Sequence, residues 1–234
     1  MEEKDASPQS SILGNMKPSQ AVELQKRLAR QVLLRPLPGK FSVLGAADIG
    51  YVKASRRQIA VVVTYRWPEL ELLETAHAVA PETFPYIPGL LSFREIPALL
   101  QAYEKLRQKP EVFLCDGQGI AHPRRLGLAS HLGLCLSIPS VGCAKSRLCG
   151  EHEPLGESKG SRVPLVHRGE AVGWVYRSRN SVKPLYISPG HLADLESSCR
   201  LVEACLRRYR LPEPLREAHN AATRLRRQWR SPEA

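Results

Sequence analysis

At 234 residues the chain is long enough for one α/β domain with a substantial core. Its 34 lysines and arginines against 23 acids leave a formal charge of +11, which makes polyanions natural partners, although charge alone does not distinguish a nucleic-acid binder from another basic protein. The six cysteines, Cys115, Cys135, Cys143, Cys149, Cys199 and Cys205, form no C-x-x-C pair and no Cys/His zinc spacing, which argues against a zinc module and for reduced thiols. With no signal-peptide core and no apolar run near the roughly 18 residues of a membrane span, the expectation is a cytoplasmic protein with no membrane partner.

Residues 1–18 are rich in Ser, Pro, Gln and charge and read as a disordered segment. Ser19 can cap a helix with Leu24, Leu28 and Val32 on one stripe, ended by Pro36 and Pro38. Phe41 to Ala47 is an apolar strand followed by Asp48. Gln58 to Tyr65 and Leu70 to Val79 are two further strands around a Trp-Pro-Glu turn, so the first three strands form an antiparallel meander. The loop Pro85-Tyr86-Ile87-Pro88 leads to a helix over about 95–108, with Ile96, Leu99, Leu100, Tyr103 and Leu106 inward and Pro97 in its first turn.

Val112 to Cys115 is a short buried strand delivering Asp116 at its C-terminal end, where open α/β sheets carry their sites. Gly117 and Gly119 allow close backbone approach, and Arg124 and Arg125 can hold phosphates. A helix over 126–136, a strand over 140–143, a loop over 151–164, strands over 172–176 and 185–188 and a helix over 193–209 complete the domain. Beyond 214 a basic helix over 215–229 is expected; between Arg200 and Arg230 nine arginines face three glutamates, suited to DNA, an acidic partner or solvent. The element order is that of an α/β, ribonuclease H-like fold, a mixed central sheet flanked by helices.

Asp48 and Asp116 both follow apolar strands, so parallel pairing of the first and fourth strands would bring them to one sheet end. Hard divalent cations take such oxygen ligands. Each residue also has a plain structural reading: Asp48 as a turn residue before Gly50, Ser92-x-x-Glu95 as a capping box, His191 as the end of a strand. Pro85-Tyr86-Ile87-Pro88 is a stiff, proline-bounded loop presenting an aromatic side chain, which can equally be a plain turn with a packed tyrosine. Gly117-Gln118-Gly119 is not a dinucleotide fingerprint, because no glycine follows at the required spacing.

Three runs carry a resemblance. Pro85-Tyr86-Ile87-Pro88-Gly89-Leu90-Leu91-Ser92-Phe93-Arg94-Glu95, Cys115-Asp116-Gly117-Gln118-Gly119-Ile120-Ala121-His122-Pro123-Arg124-Arg125 and Val141-Gly142-Cys143-Ala144-Lys145-Ser146-Arg147 together closely resemble the endonuclease V family of deaminated-base repair nucleases, in its bacterial form. The likeness is nearly continuous from Pro85 to Gly150 and extends weakly from Phe41 to Pro214. It implies a monomeric, Mg²⁺-dependent endonuclease, with Mn²⁺ able to substitute, acting on inosine-containing DNA at the second phosphodiester 3′ to the lesion. It implies a metal centre at Asp48, Glu95, Asp116 and His191, with Lys145 near the phosphate. It implies a wedge at Pro85, Tyr86, Ile87 and Pro88, a base pocket at Gly89, Leu91 and Gly119, and DNA-backbone positions at His122 and Arg124. Cleavage of inosine-containing RNA, binding of single-stranded DNA, and a non-catalytic nucleic-acid-binding domain are the alternatives. Two departures stand out: Leu192-Ala193-Asp194 after His191, where a basic residue and a hydroxyl are expected, and Gln118, where Asn or His is expected.

Overall fold

Alternation along the strands decides which faces the helices cover. The computed structural model describes residues 16–229. Eight strands, β1 (Val43–Val52), β2 (Arg57–Arg66), β3 (Glu71–Pro81), β4 (Val112–Cys115), β5 (Ser140–Ala144), β6 (Arg162–His167), β7 (Glu170–Tyr176) and β8 (Leu185–Pro189), form one sheet in the order β3-β2-β1-β4-β5-β8-β7-β6. The first three are an antiparallel meander, as expected, and β4 pairs parallel to β1 and to β5. This is a ribonuclease H-like arrangement, extended by the antiparallel strands β8, β7 and β6.

Among the described residues five helices cover the sheet: α1 (Pro18–Ala29), α2 (Leu91–Glu104), α3 (Leu128–Leu136), α4 (Leu195–Cys205) and α5 (Glu213–Gln228). On one face Leu44, Ala46, Ile59, Val61, Leu114 and Val141 pack with Leu215, Ala218 and Ala222 of α5 and with Cys199 and Val202 of α4. On the other face Ala47, Ala60, Val62, Phe113 and Cys115 pack with Ile96, Leu99 and Ala102 of α2 and with Ala129 and Leu132 of α3. Even-numbered residues of β1 and β4 therefore look toward α5, and odd-numbered ones toward α2, because side chains alternate with period two.

Several boundaries differ from the sequence expectation. β1 continues past Asp48, because its pairing with β2 runs on to Val52 after its pairing with β4 ends at Ala47. α2 begins at Leu91, so Glu95 lies inside the helix and Pro97 is not in the first turn, where its missing N–H would cost nothing. The capping box does not form, since the Ser92 hydroxyl is 3.0 Å from His131 Nδ1 on α3. α1 is capped at Lys17 with Pro18 following, not at Ser19, and its fully buried line is Ala21 and Gln25. β6 falls partly inside the expected loop; its exposed Arg162 and Pro164 hid an edge strand.

α4 ends at Cys205, and Asp194 caps it by accepting bonds from Ser197 N–H and Oγ at 2.7 and 2.6 Å. That gives the unexpected Asp194 a structural task. Residues 213–228 are part of the packed domain rather than an appended tail. The expected disorder over 1–18 falls largely outside the described residues, and Pro18 is helical. Among the described residues no helix is long and apolar enough to cross a membrane.

Leu114, fully buried in central strand β4, is a direct probe of this core. Leu114→Ala is expected to lower unfolding free energy by about 2–5 kcal/mol, seen as a lower urea midpoint with an unchanged slope.

Candidate active site

Parallel pairing puts Ala47 beside Cys115, so Asp48 and Asp116 stand side by side where the β1–β4 pairing ends. Both are even-numbered and turn toward α5. There His219 extends from the same helix stripe as Leu215, Ala218 and Ala222, and its Nδ1 lies 2.7 Å from Asp48 Oδ2. Asp48, Asp116 and His219 each offer one ligand atom, all within 4.8 Å of one another. Two carboxylates and an imidazole gathered this tightly suit a small divalent cation.

Glu95 approaches from the α2 side. Tyr51, odd-numbered on β1 and so facing α2, donates its hydroxyl to Glu95 Oε1 at 2.6 Å. Burial raises the Glu95 carboxyl to about 7, helped by the charges of Asp48 and Asp116 and opposed by the tyrosine bond and Arg94. Burial also raises Asp116, against the pull of the Lys145 ammonium that pairs with it. Lys145 is itself fixed at its backbone: Arg210 donates to its carbonyl at 2.9 Å while also bonding the carbonyls of Lys183 and Pro184.

His191, expected in this cluster, lies elsewhere. Its Nδ1 accepts the Leu33 N–H at 3.3 Å, and the histidine joining the two aspartates is His219. A signal was present in the sequence: His219 falls at helical spacing from Leu215 and Ala222 and next to Ala218, on the edge of the apolar stripe. Tyr51 left no such signal, because its role depends on where α2 begins.

A cleft of about 370 Å³ joins the carboxylates to the proline-bounded loop. Tyr86, Pro88, Gly89 and Leu91 line one side, and Glu95, Asp116 and Lys145 the other. Tyr86 is 69% exposed, while Ile87 packs inward with Phe84, Leu90 and Phe93 against α1.

Gly119 is not part of the cleft wall. Its N–H bonds Ser188 Oγ at 2.7 Å, and a Cβ there would stand 2.0 Å from the Pro189 carbonyl oxygen. Glycine is required for that close packing against β8. Gln118 bonds the Ser146 carbonyl at 2.9 Å and so ties the turn after β4 to the segment after β5.

His122 and Arg124 are turned into the protein. His122 Nε2 and Arg124 Nη2 both reach the Gly89 carbonyl, at 3.1 and 2.7 Å. Arg125 pairs with Glu170 at 2.8 Å. Neither arginine has the free guanidinium the sequence suggested for phosphate.

Because the folded Glu95 carboxyl sits above the ordinary 4.5, its contribution to stability is present below that pH and lost as pH rises through about 7. Metal-free protein should therefore lose up to about 3 kcal/mol between pH 5 and 8 that Glu95→Gln does not lose, measured by urea unfolding. Metal binding should also release protons below pH 7, read by calorimetry in two buffers of different ionisation enthalpy.

The sequence profile of the endonuclease V family matches residues 26–220. A protein of Dehalococcoides mccartyi named endonuclease V is 48% identical over 90% of this chain and 95% of its own length. The crystal structure of endonuclease V from Streptomyces avermitilis superposes with a TM-score of 0.86 at 36% identity, covering 92% of this chain and 95% of that one. That of the Ciona intestinalis endonuclease V, in complex with DNA containing an inosine followed by a ribo-adenosine, superposes at 0.78 with 25% identity, covering 92% of this chain and all of that one. The chain belongs to the endonuclease V family and is a nuclease.

Proposed function

We propose that the protein is a Mg²⁺-dependent repair endonuclease that recognises deoxyinosine in DNA and hydrolyses the second phosphodiester 3′ to it, leaving 3′-hydroxyl and 5′-phosphate ends. The observation that carries this reading is the continuity of one cleft: the loop bearing Tyr86 forms one wall, and the acids with Lys145 form the other. The inosine-containing DNA bound by the Ciona relative supports the choice of substrate.

Asp48 and Asp116, with Glu95 beside them, would hold the cation; Mn²⁺ would substitute. When bound, it supplies Lewis acidity and charge neutralisation at the scissile phosphate. His219 orients Asp48 and can complete the ligand set. Lys145, half-exposed at the cleft and paired with Asp116, offers an ammonium to a phosphate oxygen. Tyr51 holds Glu95 in place from the opposite side, and the Arg94 guanidinium, paired with Glu82, lies 4.7 Å from the Tyr51 ring centroid. Tyr86 fills the space left in the duplex by the extruded base, and the cleft volume suits one purine.

The test is strand cleavage of matched DNA and RNA duplexes, each with one internal inosine, in Mg²⁺ and in EDTA. A Mg²⁺-dependent nick one nucleotide beyond the inosine in DNA is expected, and Asp116→Ala should reduce its rate by at least about a thousandfold while largely sparing lesion binding. Cutting confined to RNA, or full activity of Asp116→Ala, would overturn the substrate or the metal assignment respectively. Tyr86→Ala should weaken retention on inosine DNA more than on undamaged DNA in a gel-shift titration; equal loss on both means Tyr86 is not a wedge.

A further inference from the structure

Three donors converge on one backbone oxygen, the carbonyl of Gly89. Gln25 Nε2 reaches it at 2.9 Å, Arg124 Nη2 at 2.7 Å and His122 Nε2 at 3.1 Å. A carbonyl oxygen has two lone pairs, so three donors at once mark a deliberate anchorage.

The chemistry of each partner is determined by its neighbours. Gln25 Nε2 also donates to the Leu126 carbonyl at 2.9 Å, while Gln25 Oε1 accepts from Arg124 Nε. Arginine can only donate and carbonyls can only accept, so the amide has one possible orientation. His122 Nδ1 accepts the Arg124 N–H at 3.1 Å, which leaves Nε2 as the protonated nitrogen that donates to Gly89. Burial and the adjacent Arg124 lower the His122 imidazole to about 4, keeping that neutral tautomer through the physiological range.

Gly89 itself has φ +78°, and a Cβ there would lie 2.7 Å from Arg124 Nη2. Only glycine both adopts that backbone and admits the guanidinium. Gln25 is fully buried on α1, and its neighbour Ala21 packs with Phe84, Leu90 and Phe93 beneath the loop. A polar amide in that position is costly unless all its bonds are made, as they are here.

We propose that Gln25, His122 and Arg124 form a lock on the Gly89 carbonyl that sets the position of the Pro85–Leu90 loop, and that all three are positioning residues for base selection rather than phosphate contacts. The consequence for selection rests on the inosine reading above; the lock itself does not. A loop already held in its reading geometry spends less binding energy on ordering, and so discriminates more sharply between bases.

The test compares wild type, Gln25→Met and Arg124→Met. Hydrogen–deuterium exchange of the peptide spanning 84–92 should quicken about tenfold in both variants, corresponding to about 1.4 kcal/mol of lost local stability. The ratio of affinities for inosine and undamaged duplexes should fall about tenfold, with the salt dependence of binding retained. A salt slope reduced by about one in Arg124→Met, with equal loss on both duplexes, would make Arg124 a phosphate contact and overturn the proposal. Unchanged exchange in the loop overturns it whatever the DNA result. A wild-type protein without preference for inosine overturns the substrate reading instead, and exchange then decides the lock. If Gln25→Met does not fold, the partly exposed Arg124 carries both measurements.

Discussion

Everything at the site follows from crowding acids at one end of the sheet. The parallel register of β1 and β4 sets Asp48 beside Asp116, and α2 brings Glu95 up from the other face. Burial raises the Glu95 and Asp116 carboxyls, and the neighbouring carboxylates push in the same direction. The surroundings answer with one partner each: His219 for Asp48, Tyr51 for Glu95, Lys145 for Asp116. A divalent cation is the remaining counter-charge the arrangement suits, and the repulsion that strains the metal-free protein becomes affinity for the metal.

The two terminal helices, α1 and α5, have corresponding tasks on opposite sides of this centre. α5 packs Leu215, Ala218 and Ala222 on the sheet and by that packing delivers His219 to the aspartates. α1 packs Ala21 under the Tyr86 loop and by that packing delivers Gln25 to Gly89. In each case apolar burial supplies the stability and places one polar side chain at its partner: Gln25 buried on α1, and His219 beside the apolar stripe of α5 with half its side chain exposed. Several of the arginines near the C-terminus serve the same domain: Arg210 holds the backbone of Lys145, and Arg216 and Arg224 pair with glutamates of their own helix.

What could be read from the sequence and what could not divides by range. The strand before Asp116, the parallel pairing of the first and fourth strands, and the gathering of Asp48, Asp116 and Lys145 at one sheet end are local patterns plus one topological step. β6 escaped because an edge strand exposed on one side need not alternate cleanly. The start of α2 escaped because Ser92 bonds His131, a residue distant in sequence, instead of capping. His191 was expected in the cluster from the family resemblance, whereas its position after a strand and a glycine suggested only a strand end; its ring nitrogen faces Leu33. Gln25 was invisible because a lone polar residue on a helix stripe looks like an interruption until its distant partner is known, and the same reading passed over the signal at His219. Gly119 and Arg124 misled in the opposite sense, having the residue types of a ligand site while spending their bonds on Ser188 and Gly89.

We propose that α5 closes the metal centre through His219, which lies with Asp48 and Asp116 within 4.8 Å. The most direct test is the Mn²⁺ affinity of His219→Ala against His191→Ala, measured by electron paramagnetic resonance of free Mn²⁺. Loss of at least about tenfold in the first variant, with the second within about twofold of wild type, is the predicted result. A loss confined to His191→Ala would contradict the account and return the fourth ligand to the end of β8.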